Sequence, residues 1–95
     1  ARLVEIYVLM GTLCGLQRDD GGFVFFEQAL QLAAITDASP LLHARIFSEY
    51  GSFKEHVGTA EEAEGYLERA RRIFASLGAG DEARRVEHKL VKLAG

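Results

Sequence analysis

Several residue types on which a small protein can rely are almost missing from this chain. Of its 95 residues one is cysteine, one is proline and none is tryptophan. A lone Cys14 cannot close an internal disulfide, so packing must hold the fold. With Leu13 and Leu16 beside it the thiol is expected to be buried, and a reducing, cytoplasmic setting suits it. No basic block exceeds the pairs Arg71-Arg72 and Arg84-Arg85, and the formal net charge is −3. Nucleic acid is therefore not an expected partner, because neutralising phosphates takes a dense cationic face. The apolar run that ends at Met10 is far too short to cross a bilayer and nothing resembles a signal peptide, so no membrane association is expected.

Sequence signatures of chemistry are equally scarce. His43, His56 and His88 stand far apart in the sequence and lack the i, i+4 pairing with Cys or carboxylate that a zinc site needs. Glu64 and Glu68 lie one helical turn apart, but Arg69, Arg71 and Arg72 share that segment, so ion pairs on a wet surface account for them. Cys14 has no neighbouring base or cation to lower its pKa. The stretches Gly11 to Gly15 and Asp20 to Gly22 lack the lysine and preceding strand of a phosphate loop. No catalytic residue, cofactor site or metal ligand set emerges, and the chain is not expected to be an enzyme.

What the chain does have is helical periodicity with clear punctuation, and it predicts one all-α domain of five helices. Helix one is expected from Arg2 to Leu16 or Gln17, ended by the turn residues Arg18 to Gly22, with Asp20 as N-cap of the next helix. Helix two carries Phe23, Phe26, Leu30 and Ala33 and ends near Thr36. Ser39 then caps helix three and Pro40 takes its first position, where the missing N–H is harmless. Leu42, Ile46, Phe47, Tyr50 and Phe53 keep the 3.6-residue period until Gly58 stops it. Thr59 and Glu62 form a T-x-x-E capping box for helix four, which Gly78 and Gly80 terminate, and Asp81 is expected to cap a fifth helix through Leu93. A domain of this length buries roughly 60–65% of its unfolded surface, so one core is the ceiling.

Two stretches about forty residues apart, Tyr7 to Ala44 and Phe47 to Arg85, are imperfect copies of each other. Phe47, Tyr50, Gly51, Ala63, Leu67 and Ala70 in the second match Tyr7, Met10, Gly11, Gly22, Phe26 and Ala29 in the first, which is one residue shorter between its two glycines. This pattern resembles the tetratricopeptide (TPR) repeat in its extended form of about forty residues. Gly22 stands where that family prefers Ala, and Cys14 and Lys54 stand where it often has an aromatic. From Glu61 onward the run resembles the last TPR of bacterial multidomain ATP-binding transcriptional regulators, related cyclases and Ser/Thr kinases. The resemblance implies two and a half repeats in a short right-handed solenoid of antiparallel helices: repeat one at about 2–36, repeat two at about 40–78 and a capping helix at about 81–93. It implies a protein or peptide partner in a concave groove lined by Glu5, Val8 and Thr12 from helix one, Arg45, Ser48, Ser52 and Glu55 from helix three, and Lys89 from helix five. The carboxylate clamp of chaperone-binding members is absent, since Glu5 and Leu9 occupy its Lys and Asn places.

Polarity rises along the chain. Six of residues 1–35 are charged against fourteen of residues 61–95, so the last helix suits a terminal cap while the first, apolar all round from Leu3 to Met10, needs cover. Starting at Ala1 on a helical pattern without Met or cap, the chain is expected to be a piece of a longer protein, the sensing or assembly region of a bacterial regulator. A homodimer through the N-terminal helices, with Leu3, Tyr7, Met10 and Cys14 at or near the contact, would supply the cover. A spacer with no ligand of its own is the other reading, and an enzyme a distant one.

Overall fold

A computed structural model describes residues 2–95, and every regular element within them is helical. The helices are α1 (Arg2–Leu16), α2 (Phe23–Ile35), α3 (Pro40–Val57), α4 (Ala60–Ser76) and α5 (Gly80–Ala94), with a short 3₁₀ turn at Asp20–Gly22 between the first two. Local chemistry explains most of the boundaries. Ser39 Oγ accepts from the Leu42 N–H at 3.3 Å, and Pro40 opens α3. At α4 the Glu62 N–H donates to Thr59 Oγ1 and the Thr59 N–H donates to Glu62 Oε1, both at 3.1 Å, completing the capping box. Gly78 adopts φ +73°, the left-handed conformation that ends α4 and lets the Ala79 N–H reach back to the Phe74 carbonyl at 2.9 Å.

Two of the expected caps are different. Asp19, not Asp20, is the capping residue before α2: its Oδ1 accepts from the Gly21 N–H at 3.0 Å, and Asp20 becomes the first residue of the 3₁₀ turn. α2 itself starts from Gly22 with no side-chain cap. The reason is space, because a Cβ on Gly22 would lie 2.5 Å from Cys14 Cβ and 2.8 Å from Phe53 Cε1, so the chain enters α2 by a tight backbone turn pressed against α1 and α3. The same crowding explains glycine rather than alanine at this position of the first copy. Asp81 does not cap α5, which begins one residue earlier with Ala79 in the capping position. Asp81 sits in the first turn instead, where the helix dipole favours its charge, and pairs with Arg84 at 3.2 Å. Gly80 accordingly opens α5 instead of ending α4.

α1 packs on α2 and α3, α3 packs on α4 and more lightly on α2, and α4 packs on α5, which makes α3 the central helix. The small residues of both sequence copies occupy the closest approaches. A Cβ on Gly11 would meet the Phe26 ring at 2.5–2.9 Å, and one on Gly51 would meet Leu67 Cγ and Cδ2 at 2.6 and 2.7 Å. Gly11 with Phe26 and Gly51 with Leu67 are thus matching pairs, each a glycine that admits a large side chain from the following helix. Between them Phe26, Tyr50 and Tyr66 stack with ring centroids 4.8 and 4.2 Å apart, linking α2, α3 and α4. The Tyr50 hydroxyl donates to Glu27 Oε2 at 2.7 Å. Burial first, and this bond to a carboxylate second, hold the phenol protonated far above its ordinary range. Among the described residues no buried side-chain nitrogen or oxygen lacks a partner, as a settled core requires.

Candidate functional site

α1, α3 and α5 each turn one face toward a shared concavity of about 590 Å³. α1 contributes Glu5, Val8, Leu9 and Thr12, which recur at helical spacing. α3 adds Leu42, Arg45, Ile46, Ser48 and Glu49, and α5 adds Glu82, Arg85, Val86 and Lys89. Phe74 of α4 reaches the floor between them. Val8, Ile46, Phe74 and Val86 give an apolar base that continues into the core, while the charged groups stand on the walls.

Six of the eight residues expected to line a groove therefore do line one cavity: Glu5, Val8, Thr12, Arg45, Ser48 and Lys89. Ser52 lies one turn past Ser48, off the wall but coupled to it, because Lys89 Nζ donates to Ser52 Oγ at 2.9 Å and to Ser48 Oγ at 3.4 Å. Glu55 is exposed and away from the cavity. α3 outruns the concavity, and the residue two turns beyond Ser48 has left it. Leu42 and Glu49, three and four residues from Arg45, were missed, as were Ile46 next to it, Leu9 next to Val8, and Glu82, Arg85 and Val86, which stand seven, four and three residues before Lys89. Helical periodicity alone could have found these. Nothing in the sequence marks Phe74, which reaches the groove from a different helix.

Hydrogen bonds and charge shape the walls. The Thr12 hydroxyl donates back to the Val8 carbonyl at 2.8 Å, with Glu49 Oε2 a second acceptor at 3.3 Å. Glu5 and Glu82 occupy the first turns of α1 and α5, where the helix dipole favours a negative charge. The ion pairs of the described residues lie elsewhere, at Lys54–Glu62, at Glu68 with Arg71 and Arg72, and at Asp81–Arg84. Among the described residues, none of the ion pairs within 4.0 Å involves the groove-lining Arg45, Arg85 or Lys89. The cavity combines an apolar base with charged walls. Among the described residues no three His, Cys, Asp or Glu side chains come together to hold a metal ion, and no helix is long and apolar enough to cross a membrane.

A second feature lies on α1. Of the residues expected at a self-association contact, Leu3 and Met10 are exposed, at 49% and 40%. Tyr7 and Cys14 are turned further in and half-buried. Tyr7 packs against the cluster of Val4, Ala29, Ala33 and Ile46, and Cys14, half-buried, against Phe26, Tyr50 and Phe53. The outward face is instead completed by Ile6, Leu9, Leu13 and Leu16. Because α1 is apolar on both sides, its sequence could not show which side faces in. The chain matches no protein-family model, no curated protein and no solved structure.

Proposed function

We propose that this chain is a TPR-like helical-repeat module that binds a segment of another protein in the concavity between α1, α3 and α5. The observation that carries this reading is the convergence of six groove residues, expected from the resemblance to the TPR repeat, on one cavity from three separate helices. Its volume falls in the range of roughly 300–1,000 Å³ typical of binding sites. The matched approaches of Gly11 to Phe26 and Gly51 to Leu67 support the repeat reading, since both hairpins solve the same packing problem with the same residue types. The occupant would lay apolar side chains on Val8, Ile46, Phe74 and Val86 and place charged ones against the walls. A place in the sensing or assembly region of a larger cytoplasmic bacterial regulator rests on the resemblance of the C-terminal run.

Random-peptide display on the folded chain, followed by amide chemical-shift mapping of a selected binder, tests the proposal. Shifts should centre on Val8, Thr12, Ile46 and Lys89, and Arg45→Glu should weaken binding by about tenfold or more while leaving circular dichroism and melting temperature unchanged. Binders that shift only the outer surfaces of α2 and α4, or a display that enriches nothing, would overturn it.

A further inference from the structure

The outward face of α1 reads the same in both directions. Its exposed apolar residues are Leu3, Ile6, Leu9, Met10, Leu13 and Leu16, each between 40% and 65% exposed. Counted from the midpoint between Leu9 and Met10, Leu3 balances Leu16, Ile6 balances Leu13, and Leu9 balances Met10. In an antiparallel pair related by a twofold axis at that midpoint, residue i of one copy meets residue j of the other and j meets i, so this symmetric placement sets every apolar position opposite another apolar one. The spacings of three and four residues keep the stripe on one face over four turns.

Charge at the two ends selects the same orientation. Arg2 is exposed at the start of α1, where Glu5 lines the groove instead, and Asp19 and Asp20 are exposed just past its end, where the Arg18 guanidinium donates to the His56 carbonyl at 3.2 Å. In an antiparallel pair each Arg2 approaches the two aspartates of the other copy, whereas a parallel pair sets Arg2 against Arg2 and the aspartates against each other. Phe23 and Val24, 45% and 46% exposed where α2 begins beside the end of α1, extend the apolar patch. Contiguous apolar surface of this kind is uncommon on a monomer.

We propose that a second copy of this chain covers the outer face of α1, as a twofold antiparallel helix pair centred between Leu9 and Met10. This contact goes beyond the groove reading and does not depend on it. Leu9 stands on the edge shared by the two surfaces, so the dimer places two grooves side by side along the paired helices.

Light scattering coupled to size exclusion should report twice the 10.5 kDa chain mass at micromolar concentration. Ile6→Glu together with Leu13→Glu should weaken the dimer by at least about 100-fold without changing the helical circular dichroism, because both residues are half-exposed in a single copy and central to the pair. Orientation is read separately in a Cys14→Ser background by mixing chains carrying Ile6→Cys with chains carrying Leu13→Cys. Oxidation should cross-link the two kinds to each other, since only facing positions come within disulfide range. A monomer at high micromolar concentration, a dimer that survives the double glutamate substitution, or dominant cross-linking of Ile6→Cys chains to themselves would each overturn the proposal. The cross-linking arm needs no charge on the surface, so it still decides if the glutamate variant fails to fold.

Discussion

Alanine at Gly65 should stabilise the chain and alanine at Gly51 should not, although both glycines lie inside helices. Each substitution recovers the backbone freedom that glycine forfeits in a helix, about 1 kcal/mol. At Gly65 a new methyl meets nothing within 4 Å, so the gain stands alone. For a domain of this size it should raise the melting temperature by about 4–8 °C. At Gly51 the methyl would sit 2.6 and 2.7 Å from Leu67 Cγ and Cδ2, and 3.3 Å from the Ala63 carbonyl oxygen. Leu67 is wholly buried and cannot swing into solvent. Overpacking of this kind costs about 1–3 kcal/mol, which cancels or exceeds the helix gain and leaves Gly51→Ala between neutral and about 2 kcal/mol destabilised. Because the helix gain is common to both variants, the gap between them isolates the clash, and thermal melts at a fixed protein concentration measure it directly. A cycle with Leu67→Ala adds a second check. That change alone should cost about 2–5 kcal/mol, yet it should cost about 1–3 kcal/mol less in the Gly51→Ala background, where it also relieves the contact. If Gly51→Ala stabilised the chain as much as Gly65→Ala does, α3 and α4 would not approach as closely as described and the shared packing logic of the two hairpins would fall.

Thr59→Ala should lower stability by about 1 kcal/mol, since it leaves the Glu62 N–H without its acceptor, and a melting curve superimposable on the parent's would remove the capping box from the account. Ala70→Leu should be worse than Ala75→Leu by about 1–3 kcal/mol in a denaturant titration, because Ala70 is fully buried and Ala75 exposed; equal tolerance would refute the helix register. The Thr59 N–H, and then Lys54, hold the Glu62 carboxyl below its usual range, and the Arg71 guanidinium does the same for Glu68. A depressed folded-state pKa gives stability that is fully present above the unfolded carboxylate value of about 4.3 and is lost as pH falls through the folded value, so melting temperature should drop on that acid side. Glu62→Gln should flatten part of the drop, and an unchanged acid slope would show that the Glu62 charge contributes nothing.

The helix boundaries were legible in the residues because the chemistry that sets most of them reaches only three or four positions along the chain. Ser39 with Pro40, Thr59 with Glu62, and Gly78 need no distant partner, and the structure keeps them as read. The caps that were misread, Asp20 and Asp81, belong to connections where tertiary packing intervenes. Gly22 is jammed against Cys14 and Phe53, and α5 begins at Gly80 from Ala79, which packs against the cluster that contains Phe74 and Val86. Rotation of a helix about its own axis is legible only where polarity is one-sided. α5, with Ala83 and Val86 on one apolar stripe that is buried, could be oriented by its pattern. α1 could not, because Val4 and Gly11 face the core while Ile6 and Leu13 face solvent, and only the contacts of α2 and α3 select the inner side. That choice sends Tyr7 and Cys14 inward and leaves the symmetric stripe outside. The groove needed both levels: the resemblance to the TPR repeat nominated its residues helix by helix, but Phe74 joins them and Glu55 leaves them through the way the helices pack, which depends on side-chain volumes far apart in the chain.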